Sequence, residues 1–176
     1  MDDHEALLAL LNSTPVTGGV ELDLLSHGAP EGPEVAQSLG GSGSTAEVDH
    51  LREVRDLLQS SVRSGEVDTR LLGTLDGIVQ RPASLTAEDG LQWELEGTPE
   101  RLPAARLVIA WAELTKSRPG RLRACENHEC RLFLIDHSKG NTARWCSMAT
   151  CGNRMKARRH HSRRVGRTTP GDSPSR

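Results

Sequence analysis

Hydrophobic residues recur at helical spacing in three stretches of this chain and alternate in a fourth. Val48, Leu51, Val54, Leu58 and Val62 repeat every three or four positions. They lie between Ser44 and Glu47, spaced as a capping box, and Gly65, so a helix is predicted from Ser44 to about Ser64. Leu71, Leu72, Leu75 and Ile78 predict a second helix over about 67–79, weakened by Gly73. Leu107, Trp111 and Leu114 predict a third, from Pro99 or Pro103 to Lys116. Leu91, Trp93 and Leu95 alternate, so residues 84–87 and 91–96 are predicted to pair as a hairpin around Asp89-Gly90. Residues 2–11 suit a short helix or strand. Residues 12–43 are rich in Gly, Pro and Ser, with one short strand candidate at Glu21–Leu25. A loop that long in a compact domain is expected to be mobile or to form a functional cover. Trp93 and Trp111 read as core, and Glu47, Asp49 and Asp56 as the solvated side of the first long helix.

The 176 residues, 26% charged and 35% apolar, allow one modest core and a small satellite unit, which excludes a large multidomain enzyme. No apolar run exceeds the six residues Leu107–Ala112, against the roughly 20 that span a bilayer. The N-terminus is acidic where a secretory signal is basic, so a cytoplasmic protein with no membrane partner is expected. One Phe, three Trp and no Tyr mean an aliphatic core and argue against base-stacking platforms. His4, His27 and His50 are isolated, and the chain has no phosphate loop or nucleophile elbow; no enzymatic activity is expected. Charge is strongly partitioned. Residues 1–115 carry 7 Lys and Arg against 20 Asp and Glu, a net of −13, whereas residues 116–176 carry 15 against 4, a net of +11. Such asymmetry points to an anionic partner for the basic part or to contact between the two parts.

All four cysteines lie in the basic part. Cys125 and Cys130 form one C-x4-C pair, Cys146 and Cys151 another, with fifteen residues between the pairs. The short spacer lets two thiolates of one turn face a single ion, and the longer one leaves room for a chain reversal that brings the second turn to it. One structural zinc is the leading occupant, because it accepts four sulfurs, tolerates a reducing compartment and fixes a segment too small to fold on its own apolar area. An iron–sulfur cluster and two disulfides are the alternatives. Four thiolates close the sphere, so catalytic zinc is not expected, and His128 and His137 read as outer or solvent-facing groups. Residues 131–136 are predicted to run out as a strand, 137–141 to turn and 142–145 to run back, followed by a helix from Gly152-Asn153 to about Val165. Turn, hairpin, turn and helix is a treble-clef-like order.

That last helix is basic almost all round. Arg154, Arg158 and His161 share one face, and Lys156, His160 and Arg163 an adjacent one, with Arg159 and Arg164 also present. Crowded like charges favour a polyanion placed against them. Most of these side chains are expected to meet phosphates of duplex DNA, with Asn153 and Arg154 as candidate base readers. The alternatives are a solvated or protein-binding face, docking on the acidic half, and a small enzymatic or metabolite-binding N-terminal domain with a purely structural finger.

Arg121-Leu-Arg-Ala-Cys125, then Cys130, Phe133, Asp136 and Ser138, and above all Arg144-Trp-Cys-Ser-Met-Ala-Thr-Cys-Gly-Asn-Arg-Met-Lys156 resemble the CGNR zinc-finger family over about Arg121 to Arg164. The resemblance implies a DNA-binding finger in a bacterial, stress-induced type of transcription regulator, with the four cysteines as ligands and with Arg144, Trp145, Asn153, Arg154, Lys156 and His160 as matching positions. It also implies an N-terminal domain of the ABATE type, thought to sense a small molecule or to regulate the finger. Leu10-Leu-Asn-Ser13 and Leu51-Arg-Glu-Val-Arg55 resemble that domain's motifs, but Ala9 and Leu10 stand where an aspartate and an aromatic are usual. The expected fold is α+β and α-rich: an acidic helical domain with a small β-hairpin over residues 1–118 (loop-rich over 12–43), a treble-clef-like four-cysteine finger with a basic helix over 119–166, and a disordered tail over 167–176. The expected partners are duplex DNA, which would place the protein on the nucleoid, together with a small-molecule effector and a second copy as a homodimer.

Overall fold

The computed structural model describes residues 1–88 and 90–165, with side chains as far as residue 162. The turn residue Asp89, the tail expected over 167–176, and the side chains of Arg163 and Arg164 lie outside the described residues. Helix α1 (Asp3–Leu11) opens with a reciprocal capping box. The Asp2 carboxylate accepts the Glu5 amide at 2.7 Å, and Glu5 accepts the Asp2 amide at 3.1 Å. A short ribbon of β1 (Val16–Thr17) and β2 (Val20–Glu21) follows, then α2 (Gly32–Ser38) and the 20-residue α3 (Thr45–Ser64). Gly65 ends α3 at φ 77°, a left-handed cap that a side chain would disfavour. One turn, α4 (Leu71–Thr74), leads to the hairpin of β3 (Val79–Thr86) and β4 (Gly90–Glu96), and α5 (Leu102–Ser117) leads to the finger. The finger holds β5 (Leu122–Ala124), β6 (Phe133–Ile135) and α6 (Asn153–Val165). The fold is mixed and α-rich, with three separate two-stranded sheets among the described residues. No helix among them is long and apolar enough to cross a membrane.

Leucines of α1, α3 and α5 make the core. Leu7, Leu10, Leu51, Leu58, Leu107 and Leu114 are fully buried, and α1 packs against both longer helices. The core continues into the finger, because Phe133 and Ile135 of β6 belong to the same buried cluster as Leu7 and Leu107. Asn12, the C-cap of α1, fixes that junction in two directions. Its amide oxygen accepts the Phe133 N–H at 2.7 Å, and its amide nitrogen donates to the Phe133 carbonyl at 3.3 Å.

Several expectations need correction. The second helix shrinks from 67–79 to the single turn α4, with Leu72 67% exposed, because Gly73 and Gly77 interrupt a weak former. The loop-rich segment contains α2, with Pro33 in its first turn, and its strands are Val16–Thr17 and Val20–Glu21, not Glu21–Leu25. The hairpin forms with a bulge between Pro82 and Ser84, but Trp93 is 54% exposed, whereas Trp111 is buried as expected. Glu47 is buried rather than solvated. Its carboxylate passes Ser44 and accepts the Ser42 and Gly43 amides, both at 2.7 Å, so only half of the predicted capping box closes while the carboxylate ties the preceding loop to α3. In the finger the partner of β6 is β5, upstream of Cys125, in the register Leu122↔Ile135, Arg123↔Leu134 and Ala124↔Phe133. Residues 142–145 form no strand, because the Asp136 carboxylate takes the Ala143 N–H at 2.8 Å and the Arg144 carbonyl turns to the Glu126 N–H at 2.9 Å.

Candidate metal centre and basic helix

The β5–β6 hairpin places its turn, residues 125–130, as a knuckle. The Cys125 amide bonds the Leu132 carbonyl at 2.9 Å, and the Cys130 amide bonds the Asn127 carbonyl at 2.7 Å, so both thiols leave the turn on the same side. The second pair is brought together by a π-turn at Met148–Gly152, where the Ser147 hydroxyl accepts the Thr150 amide and the Gly152 amide returns to the Ser147 carbonyl at 2.9 Å. Cys151 thus sits immediately before α6.

The four Sγ atoms lie within 4.8 Å of one another. Cys130 and Cys146 are 3.7 Å apart, and Cys146 and Cys151 are 3.8 Å apart. For zinc–sulfur bonds of about 2.3 Å, the edge of a tetrahedron is about 3.8 Å. All four cysteines are free thiols in this geometry, not disulfides. His128 and His137 are exposed and stand outside the cluster, as expected. Burial pushes the Cys130 and Cys146 thiols up, and their crowded neighbours push Cys146 further. For Cys151 burial acts in the same direction, but the Asn127 amide and the surrounding thiols hold it below its usual value. A set of four sulfurs this close is costly to ionise unless a cation sits among them, so the donor set fits one metal ion of the zinc type. Zinc there would supply structure, because four thiolates leave no open position for a substrate.

Sequence reasoning missed two supports of this centre. Asn127 is fully buried, and its amide donates to the Cys151 Sγ at 3.4 Å, while its oxygen accepts the Glu129 amide. A buried amide inside a C-x4-C turn is the signal that could have found it, since it must satisfy its N–H groups locally. Glu129, on the same knuckle, receives Arg158 and lies 3.9 Å from Arg154. One carboxylate therefore fastens the first turns of α6 to the metal loop.

The predicted anion-contacting residues divide by what they touch. Arg144 is ion-paired with Glu126, its Nε donating at 2.6 Å, and its guanidinium lies 5.3 Å from the Trp145 ring centroid. Arg154 and Arg158 point to Glu129, and the Asn153 amide donates back to the Ala149 carbonyl at 3.2 Å. Lys156, Arg159 and His160 are exposed on α6, with no ion-pair partner among the described residues. Among the described ion pairs, the one joining the finger to the acidic half is Arg131 with Glu21 at 3.1 Å, and it involves the hairpin side rather than α6.

A second polar device shapes the hairpin end. Asp136 accepts the Ser138 amide at 2.7 Å, the Ala143 amide at 2.8 Å and Arg123 at 3.1 Å. The Ser138 hydroxyl, opposed by burial, together with these amides and Arg123 holds the Asp136 carboxyl down at about 2. In the helical half, Arg55 is 1% exposed and engages Asp23, Asp56 and Ser13, an ion pair that pins the 12–30 loop to α3 and that the helical pattern gave no sign of.

Residues 121–164 match the family model of the CGNR zinc finger. A search of curated proteins returned no match.

Proposed function

We propose that this chain, carrying a CGNR zinc finger, is a zinc-dependent DNA-binding transcriptional regulator whose acidic segment, residues 1–118, regulates the finger or senses a ligand. The observation that carries the reading is the division of labour on α6. Glu129 pairs with Arg158, lies 3.9 Å from Arg154 and fixes the helix to the metal loop, while Lys156, Arg159 and His160 are exposed with no ion-pair partner among the described residues. Lysine and arginine presented this way from a metal-fixed helix meet phosphates, and affinity then rests on counterion release. Arg144 and Arg154 are already held by carboxylates, so phosphate competition with Glu126 and Glu129 would be part of binding. In this reading the protein performs no catalysis, works in the cytoplasm at the nucleoid, and takes a small molecule as effector and a second copy as partner.

The test is titration of duplex DNA into the zinc-loaded full chain at several salt concentrations. With about four to six phosphates neutralised, log K should fall against log salt with a slope of about −4 to −5, and Lys156→Ala with Arg159→Ala should make it shallower by roughly 2. Absent or salt-insensitive binding would favour a protein-docking finger instead.

A further inference from the structure

We propose that the cleft between the β3–β4 hairpin and α5 binds an organic cation, a quaternary or protonated amine with a short apolar body. The cleft has a volume of about 560 Å³, within the span of roughly 300–1,000 Å³ typical of small-molecule sites. One wall is a single stripe of α5, with Leu102, Arg106, Ile109 and Glu113 spaced four, three and four residues apart. The facing wall is the apolar face of β4, Trp93 and Leu95. Trp93 occupies a position whose pattern demands burial, yet it is 54% exposed and lines this space.

Charge selects the ligand class. Asp3 and Glu113 bring carboxylates to the cleft against one guanidinium, Arg106, while Glu94 borders it from β4 but alternates to the face opposite Trp93 and Leu95. That cation is partly engaged: its Nη2 donates to the Leu39 carbonyl at 2.6 Å, and its Nε, buried and without a hydrogen bond, stands 3.5 Å from the Asp3 carboxylate. Glu47 also borders the cleft, but its carboxylate is taken by Ser42 and Gly43. A cation over the indole face, flanked by carboxylates, gains attraction from both. An uncharged ligand of the same shape would desolvate the carboxylates without recompense, and an anion would be repelled. The site also reaches the finger, because α1 contributes Asp3 to the cleft at one end and the Asn12 clamp on Phe133 just beyond the other. Such a ligand would be the effector of the regulator proposed above, and the inference rests on that reading only for its biological role.

Binding is read without DNA on the zinc-loaded full chain, so failure here and failure of the DNA reading are separate results. The indole N–H resonance of Trp93, assigned by its loss in Trp93→Phe, is followed while choline, its uncharged isostere 3,3-dimethylbutan-1-ol, and the anion 3,3-dimethylbutanoate are titrated. Choline should shift the resonance saturably and bind at least about fivefold more tightly than the alcohol, the anion should leave it unmoved, and Glu113→Gln should weaken choline at least about threefold. Equal binding of the alcohol, tighter binding of the anion, no response to choline up to about 50 mM, or indifference to Glu113→Gln would each overturn the proposal.

Discussion

Residues 3–117 and residues 125–162 are ordered by different means. In the first, Leu7, Leu10, Leu51, Leu58, Leu107 and Leu114 are all 0% exposed and lock three helices by aliphatic contact. In the second, past β6, the buried apolar inventory narrows to Cys151, and order comes from thiols, the Asn127 amide and the Glu129 carboxylate. The contrast teaches where each region breaks. A hydrophobic core loses stability gradually as area is removed, whereas a metal-clamped knuckle depends on a few ligands and fails with any one of them. Strand β6 belongs to both regimes, since Phe133 and Ile135 sit in the leucine core while Cys130 lies three residues upstream.

The sharpest break is Cys146→Ser. Zinc content should fall to near zero and α6 should lose its fixed orientation, while the helical signal of residues 3–117 persists; structural zinc is worth about 10–16 kcal/mol in finger peptides, far more than the rest of the finger can supply. Metal analysis and amide spectra would decide, and collapse of the whole chain would mean that the two regions are one cooperative unit. Next comes Phe133→Ala, expected to cost about 3–5 kcal/mol and to lower the melting of both regions together. If only the finger softens in a denaturant titration, the shared core contributes less than its burial implies. Asn127→Ala should leave the leucine core untouched and weaken zinc by about 10- to 100-fold in chelator competition, because the Cys151 sulfur loses its donor.

The smallest effect expected is pH-dependent. The Asp136 carboxyl is depressed in the fold, so its contribution is fully present above its unfolded value near 4 and is lost as pH falls from there toward about 2. Asp136→Asn should therefore melt below the parent at pH 7, with the gap closing by about pH 2. A gap that stays constant over that range would show that the carboxylate's charge is not what holds the 137–143 loop.

Local chemistry was legible wherever it is short-range. The helix α3, its Ser44 cap and its Gly65 end follow from residue type and spacing, as do the four ligands and the helix that follows Cys151. What the pattern misread depended on distant partners. Trp93 alternates like a core residue, but α5 stands across a cleft from that face of the hairpin and leaves Trp93 54% exposed. Residues 142–145 have strand chemistry, but their backbone groups are captured by Asp136 and Glu126.

The chain's order of residues by itself determined that four thiols would meet, that a cationic helix would follow them, and that leucines would hold the other half. Only the tertiary structure decided that Glu129 would retain two of the helix's arginines and leave Lys156 and Arg159 outward, that Arg55 would be buried with Asp23, and that Asn12 would join the halves through Phe133. The reason is physical: caps and ligand turns are set by neighbours within a few residues, whereas the pairing of a charge or an edge strand depends on which groups burial brings within hydrogen-bond reach.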